Sequence, residues 1–502
     1  MSKPPKAITV EEFVAKTLPL IELEKEAEIA AAEEALQDGT PEGAQARGRA
    51  LLNLRVCDMG GGLLGKTLLT LESNKGVGNP LPDHKMSTHD VVALRPSKGE
   101  AGGPPLATGV VYRVKEGSIT VALDDAPDEG LDVPLRLEKL ANEVTYQRLR
   151  QALEALTSDK VRGGPAGPLV DVLFGRRAPR MATRPPEFSP INRGLDASQL
   201  GAVKLALSAG DIALVHGPPG TGKTTTVVEV VLQEVKRGAR VLVCAASNIA
   251  VDNLVERLAK MGGKAVKVVR VGHPARLLPS VLENSLEAYV LRSDNSALAK
   301  DCRKEKKDVS CQLMKLKGFQ RAERRELRGE LRRLGKEERQ RQQKAVEEVL
   351  ASADVTCCTL AGALSYNLRG LTFDVCVIDE AAQALEAACW GALAKAPRAV
   401  LAGDHLQLPP TVTSKDAEKK GLGTTLFERA HHMYGRAVAA MLTVQYRMNE
   451  GIMRWSSDEL YGGLLTSAAA VRGHLLTDLG HVTGEAAGAV LVLVDTAGCG
   501  FE

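Results

Sequence analysis

Gly217-Pro-Pro-Gly-Thr-Gly-Lys223-Thr224 is a full match to the spacing G-x-x-x-x-G-K-[ST]. The glycines permit backbone angles that aim several N–H groups inward at phosphate oxygens. Lys223 is placed to reach the β- and γ-phosphates of a nucleoside triphosphate, and the Thr224 hydroxyl to ligate Mg²⁺. The apolar run Ile212-Ala-Leu-Val215 before the motif reads as a strand, and the stretch from Lys223 reads as a helix that turns its positive dipole end to the phosphates. A chance Gly-rich turn is the bland alternative, and the strand, loop, helix context argues against it.

Such a cradle needs a second, acidic strand to complete a metal site. Phe373-Asp-Val-Cys-Val-Ile-Asp379-Glu380 supplies one, an apolar run that ends in adjacent carboxylates. Because alternate residues of a strand face opposite ways, the two carboxylates are expected to divide their work, Asp379 toward Mg²⁺ and Glu380 toward the attacking water. The competing reading is a helix N-cap. The next strand, Ala399-Val-Leu-Ala-Gly403-Asp404, leads into His405-Leu-Gln407-Leu-Pro-Pro410. Gln407 at that tip either senses the γ-phosphate or belongs to a prolyl loop that only caps the strand, and local physics does not choose between them.

The elements that hold these groups follow from periodicity. Short β-branched runs near residues 212–215, 241–244, 266–271, 375–378 and 399–401 alternate with helical stretches, which implies a parallel sheet covered on both faces. Upstream, Thr9 and Glu12 form a capping-box pattern that opens a helix, in which Pro19 is expected to cause a kink or a late start. Between residues 55 and 135 the chain turns to short apolar runs broken by Gly and Pro. Val110, Tyr112 and Val114, the turn Glu116-Gly117, and Ile119, Val121 and Leu123 read as a hairpin in a small β-barrel or sandwich. Leu137, Leu140, Val144, Leu149, Leu153 and Leu156 recur at helical spacing, and a Gly/Pro-rich stretch over 162–190 marks a boundary.

Charge is unevenly placed. Residues 300–344 hold 17 Lys or Arg against 8 Asp or Glu, a local net of +9 in a 502-residue chain whose net charge is +3. So dense a basic segment either contacts phosphate backbones or is a solvated helical face, with Leu327, Leu331 and Leu334 on its packed stripe. Hydrophobic residues at 44% and charged residues at 25% exclude disorder and fibrous structure as the main theme. No apolar run reaches membrane-span length and the start lacks a secretory signal, so the expectation is a cytoplasmic or nuclear protein with no membrane partner. The nine cysteines show no paired C-x-x-C spacing, so neither a disulfide framework nor a zinc site is readable and reduced, mostly buried thiols are expected.

Taken in order, Gly217 to Thr224, Asp379-Glu-Ala-Ala-Gln383, Gly403-Asp-His-Leu-Gln-Leu-Pro-Pro410 and Gln445-Tyr-Arg-Met448 resemble the up-frameshift-type branch of superfamily 1 helicases. Within it, Asp171-Val-Leu-Phe-Gly175, Ser247-Asn-Ile-Ala-Val-Asp-Asn253, Gly272-His-Pro-Ala-Arg276 and Asp495-Thr-Ala-Gly498 resemble the immunoglobulin mu-binding (Smubp-type) helicases. The resemblance implies that Gln199 reads adenine, Tyr446 stacks on the base, Gln407 senses the γ-phosphate and Arg447 approaches it from a second RecA-like domain. The nucleotide-binding set is then Gln199, Gly217, Pro218, Pro219, Gly220, Thr221, Gly222, Lys223, Thr224, Thr225 and Tyr446. Ser247 and Asn248 match a motif on the nucleic-acid side. The implied cofactors are ATP and Mg²⁺. The implied partners of a monomer are single-stranded RNA or DNA and ribosome or ribonucleoprotein complexes.

The resulting fold is α/β: a RecA-like parallel sheet of the P-loop NTPase type, with a β-barrel on a helical stalk and a helical insertion. Its expected divisions are a stalk helix over 1–54, an accessory β-barrel over 55–136, a stalk helix over 137–158, a first RecA-like ATPase domain over 159–435 with a basic helical insertion over 296–350, and the start of a second RecA-like domain over 436–502. Residues 490–494 are expected to be a strand. Ala246 stands where relatives commonly carry Pro, and Ala381 where close relatives often carry Cys. The family's later motifs, with their second catalytic arginine, have no counterpart here, so weak ATP binding and poor hydrolysis are expected. The implied activity is ATP-dependent 5′-to-3′ movement on single strands. An ATP-switched nucleic-acid-binding ribonucleoprotein factor without unwinding is the alternative; a GTPase is disfavoured because no Asn-Lys-x-Asp guanine motif follows.

Overall fold

The structure, a computed structural model, describes residues 8–34, 41–46, 48–61, 67–74, 79–84, 86, 90–97, 105–123, 127, 130–139, 143–184, 186–272, 277–293, 305, 308–309, 321–481 and 485–497. The first helix, Val10–Glu34, opens with the anticipated capping box: the Thr9 N–H donates to Glu12 Oε2 at 2.8 Å and the Glu12 N–H to Thr9 Oγ1 at 3.1 Å. It runs unbroken through Pro19 and lays Val14, Leu20 and Ile21 against Leu149, Leu153 and Leu156 of the helix Glu143–Leu156. Its buried Glu24 accepts the N–H groups of Thr413 and Ser414 at 2.7 and 2.8 Å, which ties this stalk to the loop that follows Gln407.

Between the two stalk helices, β1 (Ala50–Gly61), β2 (Thr67–Ser73), β3 (Val91–Pro96), β4 (Ala107–Val114), β5 (Ser118–Leu123) and β6 (Leu135–Lys139) close into a barrel in the order β1-β2-β5-β4-β3-β6. Alternate residues such as Leu69, Leu71, Ile119, Val121, Leu135 and Leu137 fill its interior. The hairpin stands as expected, with Val114 opposite Ile119. Leu137 does not belong to a helix. It lies in β6, where Leu135 and Leu137 both enter the barrel core, and the helix is described from Glu143. A spacing of three between Leu137 and Leu140 mimicked a helical repeat that the barrel overrides. Leu140 itself lies outside the described residues.

The second sheet is entirely parallel. Its strands are β7 (Ile212–His216), β8 (Val241–Ala245), β9 (Val268–Arg270), β10 (Val355–Thr359), β11 (Val375–Asp379), β12 (Ala399–Gly403) and β13 (Ala439–Met441), ordered β13-β7-β12-β11-β8-β10-β9. Ile212 and Leu214 enter one hydrophobic cluster while Ala213 and Val215 enter the other, so alternation feeds two cores, one on each face. Strands β10 and β13 lack the β-branched apolar runs of the others: Val355–Thr359 mixes threonines with cysteines, and Ala439–Met441 has three residues. All seven strands point the same way, so the loop after β7 and the carboxylates after β11 emerge at one edge, separated only by β12.

The helix Arg321–Ala351 buries Ala345, Val346, Val349 and Leu350 in the core that also holds Leu286 and Val290. Leu334 is buried and Leu327 partly so; the side chain of Leu331 and most of residues 294–320 lie outside the described residues. A two-stranded parallel sheet pairs β14 (Val444–Gln445) with β15 (Thr466–Ser467). Residues 490–494, expected as a strand, are not one: Leu493 is 93% and Val494 74% exposed. A strand needs a neighbour to take its backbone hydrogen bonds, and none of the described residues pairs with this segment. Most described cysteines are buried, as anticipated, but Cys57 is exposed.

Candidate active site and nucleic-acid face

The phosphate loop is shaped by its glycines. Gly220 and Gly222 have φ of 76° and 75°, in the left-handed region. A Cβ on Gly217 would lie 2.6 Å from Lys223 Cβ. The Thr221 hydroxyl donates to the Pro218 carbonyl at 2.7 Å, and the helix Lys223–Lys236 begins at the left-handed Gly222. Among the described residues no side chain caps that N-terminus, so its first N–H groups are left for an anion.

Lys223 Nζ lies 2.5 Å from Glu380 Oε2 and 3.6 Å from Asp379 Oδ1, and the Thr224 hydroxyl donates to Asp379 Oδ2 at 3.4 Å. The expectation that strand alternation separates the two carboxylates does not hold. Glu380 leaves the strand with φ 54°, a conformation rare outside glycine, and this turn brings both acids to one ammonium. They still differ in environment. Asp379 is 2% exposed, and burial pushes its carboxyl above the ordinary value against the pull of Lys223. The Glu380 carboxylate is about a third exposed at 32%. Thr224 Oγ1 and Asp379 Oδ2, a hydroxyl and a carboxylate oxygen side by side, are the hard donors that Mg²⁺ requires.

Gln199 sits in the first turn of the helix Ala197–Ser208. Its Oε1 accepts the Asp196 N–H at 3.0 Å and its Nε2 donates to the Thr221 carbonyl at 3.0 Å, so its amide is docked onto the phosphate loop. The Tyr446 hydroxyl donates to Asp196 Oδ2 at 2.9 Å, its N–H donates to the Gly220 carbonyl at 2.9 Å, and the residue is 44% exposed. Burial and the Asp196 carboxylate push its phenol up to about 12. Arg447 is exposed beside the loop, where a Cβ on Gly220 would come within 2.6 Å of its own Cβ. The fully buried Gln445 aims that segment: its Oε1 accepts the N–H groups of Arg447 and Met448, and its Nε2 donates to Ser467.

Gln407 donates to Asp404 Oδ2 at 2.6 Å. The same carboxylate accepts the Leu406 N–H at 3.1 Å and the Tyr461 hydroxyl at 2.7 Å, and pairs with His216 Nε2 at 2.8 Å. Burial alone would raise the Asp404 carboxyl, yet the bonds from His216, Gln407 and Tyr461 hold it down to about 2. This hub joins the residue before Gly217, the Gln407 loop and the helix Glu450–Leu460, at whose end Tyr461 stands. Tyr461 and His216 carried no motif signal, so sequence reasoning missed them.

On the neighbouring part of the same sheet edge, Ser247 caps the helix Asn248–Gly262 through the Ala250 N–H at 3.2 Å, and both Ser247 and Ile249 are exposed. Asn248 Oδ1 accepts from Arg270 at 2.9 Å. Arg270 is fully buried, and its Nε donates to Asp252 Oδ1 at 2.7 Å. The pair was not foreseen either, although an Arg at the end of an apolar strand over a helical Asp was its available signal. Thr359 ends β10 opposite Ala245, next to this turn.

A family model described as Helicase SMUBP-2/HCS1, 1B domain, matches residues 14–141, and two described as AAA domain match residues 194–415 and 422–499. DNA-binding protein SMUBP-2 of Mesocricetus auratus is 45% identical, over 98% of this chain and 50% of its own length. DNA polymerase alpha-associated DNA helicase A is 38% identical in Schizosaccharomyces pombe, over 87% of this chain and 66% of that protein. Its counterpart in Saccharomyces cerevisiae is 30% identical, over 93% of this chain and 73% of that protein. The chain spans about half the length of the SMUBP-2 relatives it matches, at 50%.

Proposed function

This chain belongs to the SMUBP-2/HCS1 helicase family, and from that premise we propose that it hydrolyses ATP and couples hydrolysis to 5′-to-3′ movement along single-stranded DNA or RNA. One observation carries the reading: the phosphate-loop lysine, the Thr224 hydroxyl and the carboxylates of Asp379 and Glu380 converge at one sheet edge, with Lys223 Nζ 2.5 Å from Glu380. Lys223 and the loop N–H groups bind the β- and γ-phosphates. Thr224 and Asp379 would hold Mg²⁺, and a bound ion would supply positive charge to the phosphate oxygens.

Glu380, better solvated than Asp379 and free of the strand, orients the attacking water and takes its proton. Gln407 sits on the Asp404 hub within the same edge and reports loss of the γ-phosphate. Arg447 adds positive charge beside the phosphate loop, and Tyr446 with Gln199 holds the base. Ser247 and Asn248 meet the backbone of the strand, and the basic helix Arg321–Ala351 adds phosphate contacts.

The test is turnover by the purified chain with and without single strands, beside displacement from duplexes bearing a 5′ or a 3′ tail. Lys223→Ala is expected to abolish turnover, and displacement is expected only from the 5′ tail. Strand binding with ATP but without displacement would favour a nucleotide-switched binding factor. Turnover that persists in Lys223→Ala would overturn the site.

A further inference from the structure

The edge that carries the phosphate loop also carries a histidine cluster to which the helicase reading gives no task. His216 ends β7, Asp404 and His405 follow β12, and His431 lies in the helix Leu426–Tyr434. From the convergence of these side chains, we propose that His216, Asp404, His405 and His431 form a binding site for a divalent transition-metal ion of the zinc class, next to the phosphate loop and separate from the Mg²⁺ position at Thr224 and Asp379.

One potential ligand atom from each of His216, Asp404 and His405 lies within 4.8 Å of the others. The imidazole centroids are 5.0 Å apart for His216 and His405, 4.7 Å for His405 and His431, and 6.0 Å for His216 and His431. Three imidazoles bound tetrahedrally at zinc–nitrogen distances near 2.1 Å have centroids about 5 Å apart, so His216 and His405 already have this spacing, and His431, outside the 4.8 Å group, reaches it by rotation toward them.

The surroundings fit a ligand set better than a packed aromatic core. His216 and Asp404 are 5% and 3% exposed, and their backbones are fixed by adjacent strands of the sheet. His405 Nδ1 is buried and has no hydrogen-bond partner among the described residues, which is costly for a ring nitrogen and is relieved by an ion. Asp404 Oδ2 is held by Gln407 and Tyr461, the outer support that orients a ligating carboxylate, while Oδ1 faces His216.

Three nitrogens and one carboxylate select Zn²⁺, Co²⁺, Ni²⁺ or Cu²⁺ and reject Mg²⁺ and Ca²⁺, which take oxygen. An ion here also fixes Asp404 and through it Gln407. That consequence rests on the sensor role proposed for Gln407, whereas the binding does not.

Chelator-treated full chain is titrated with Zn²⁺ by calorimetry and with Co²⁺ by visible absorption, without nucleotide. One equivalent is expected, with the spectrum of tetrahedral Co²⁺ on nitrogen and oxygen. His405→Asn and His431→Ala should each weaken binding by about tenfold or more, while thermal unfolding stays cooperative. His432→Ala, on the same helix but exposed, should bind as the parent does. Absence of a bound equivalent, undiminished binding in both variants, or a thiolate–cobalt spectrum would each overturn the site. ATP turnover does not enter the readout, so the outcome is independent of the helicase reading.

Discussion

The Tyr461 hydroxyl and the Gln407 amide donate to the same oxygen, Oδ2 of Asp404, at 2.7 and 2.6 Å. Tyr461 follows the helix Glu450–Leu460, and Gln407 follows β12, so one carboxylate joins the segment beyond the seven-stranded sheet to the loop at its edge. Tyr461→Phe keeps the ring and removes only that donor. It should cost about 1–2 kcal/mol in urea unfolding. In steady-state kinetics it should lower kcat and leave the ATP KM nearly unchanged, because the hydroxyl acts through Gln407 and does not touch the phosphate loop.

Glu380 is the water-orienting group in the proposed mechanism. Glu380→Gln keeps the shape and removes the base, so turnover should fall by roughly 10²–10⁴-fold. The substitution also releases Lys223 from its closest ion pair, so affinity for a non-hydrolysable ATP analogue should hold or rise. Equal loss of binding and turnover, measured by fluorescence titration and phosphate release, would assign Glu380 a structural role.

Arg270 and Asp252 are a fully desolvated pair, 0% and 1% exposed at their side chains. Arg270→Met leaves the carboxylate buried without its partner and should cost about 3–5 kcal/mol in chemical denaturation. Pairing it with Asp252→Asn should recover part of that loss. Asn248 also loses the bond that fixes its side-chain carbonyl, so single-strand affinity by anisotropy should fall in the stability-matched double variant too.

Glu287 is a described carboxylate whose shifted titration gives stability a pH signature. Burial pushes its carboxyl up to about 7 from 4.5. A carboxyl raised in the folded state binds its proton more tightly there than in the unfolded chain. Its contribution is therefore fully present below about pH 4.5 and lost as pH rises through about 7. Glu287→Gln should unfold much like the parent at pH 5 and be more stable by about 2 kcal/mol at pH 8.5, as read by urea midpoints.

Legibility followed the range of the interaction. The Thr9–Glu12 cap, the β4–β5 hairpin and the strand before Gly217 depend on residues a few positions apart, and each stands where local pattern placed it. The three-residue spacing at Leu137 fits either a helix or a chance repeat, and barrel closure decides for β6. Residues 490–494 have the composition of a strand, but pairing is a property of a neighbour.

The sequence by itself determined which chemical groups are present and their local frames: the phosphate loop, the acidic pair, the Gln407 loop and the parallel class of the sheet. Those depend on backbone conformations that a few adjacent residues dictate. Only the tertiary structure decided that Glu380 turns back to share Lys223 with Asp379, that Tyr461 meets Gln407 on Asp404, and that Arg270 anchors Asn248. These contacts join residues 22 to 157 positions apart, as from Asn248 to Arg270 and from Lys223 to Glu380. They form because parallel strands bring their ends to one edge, and no pattern in the intervening chain encodes which side chains will meet there.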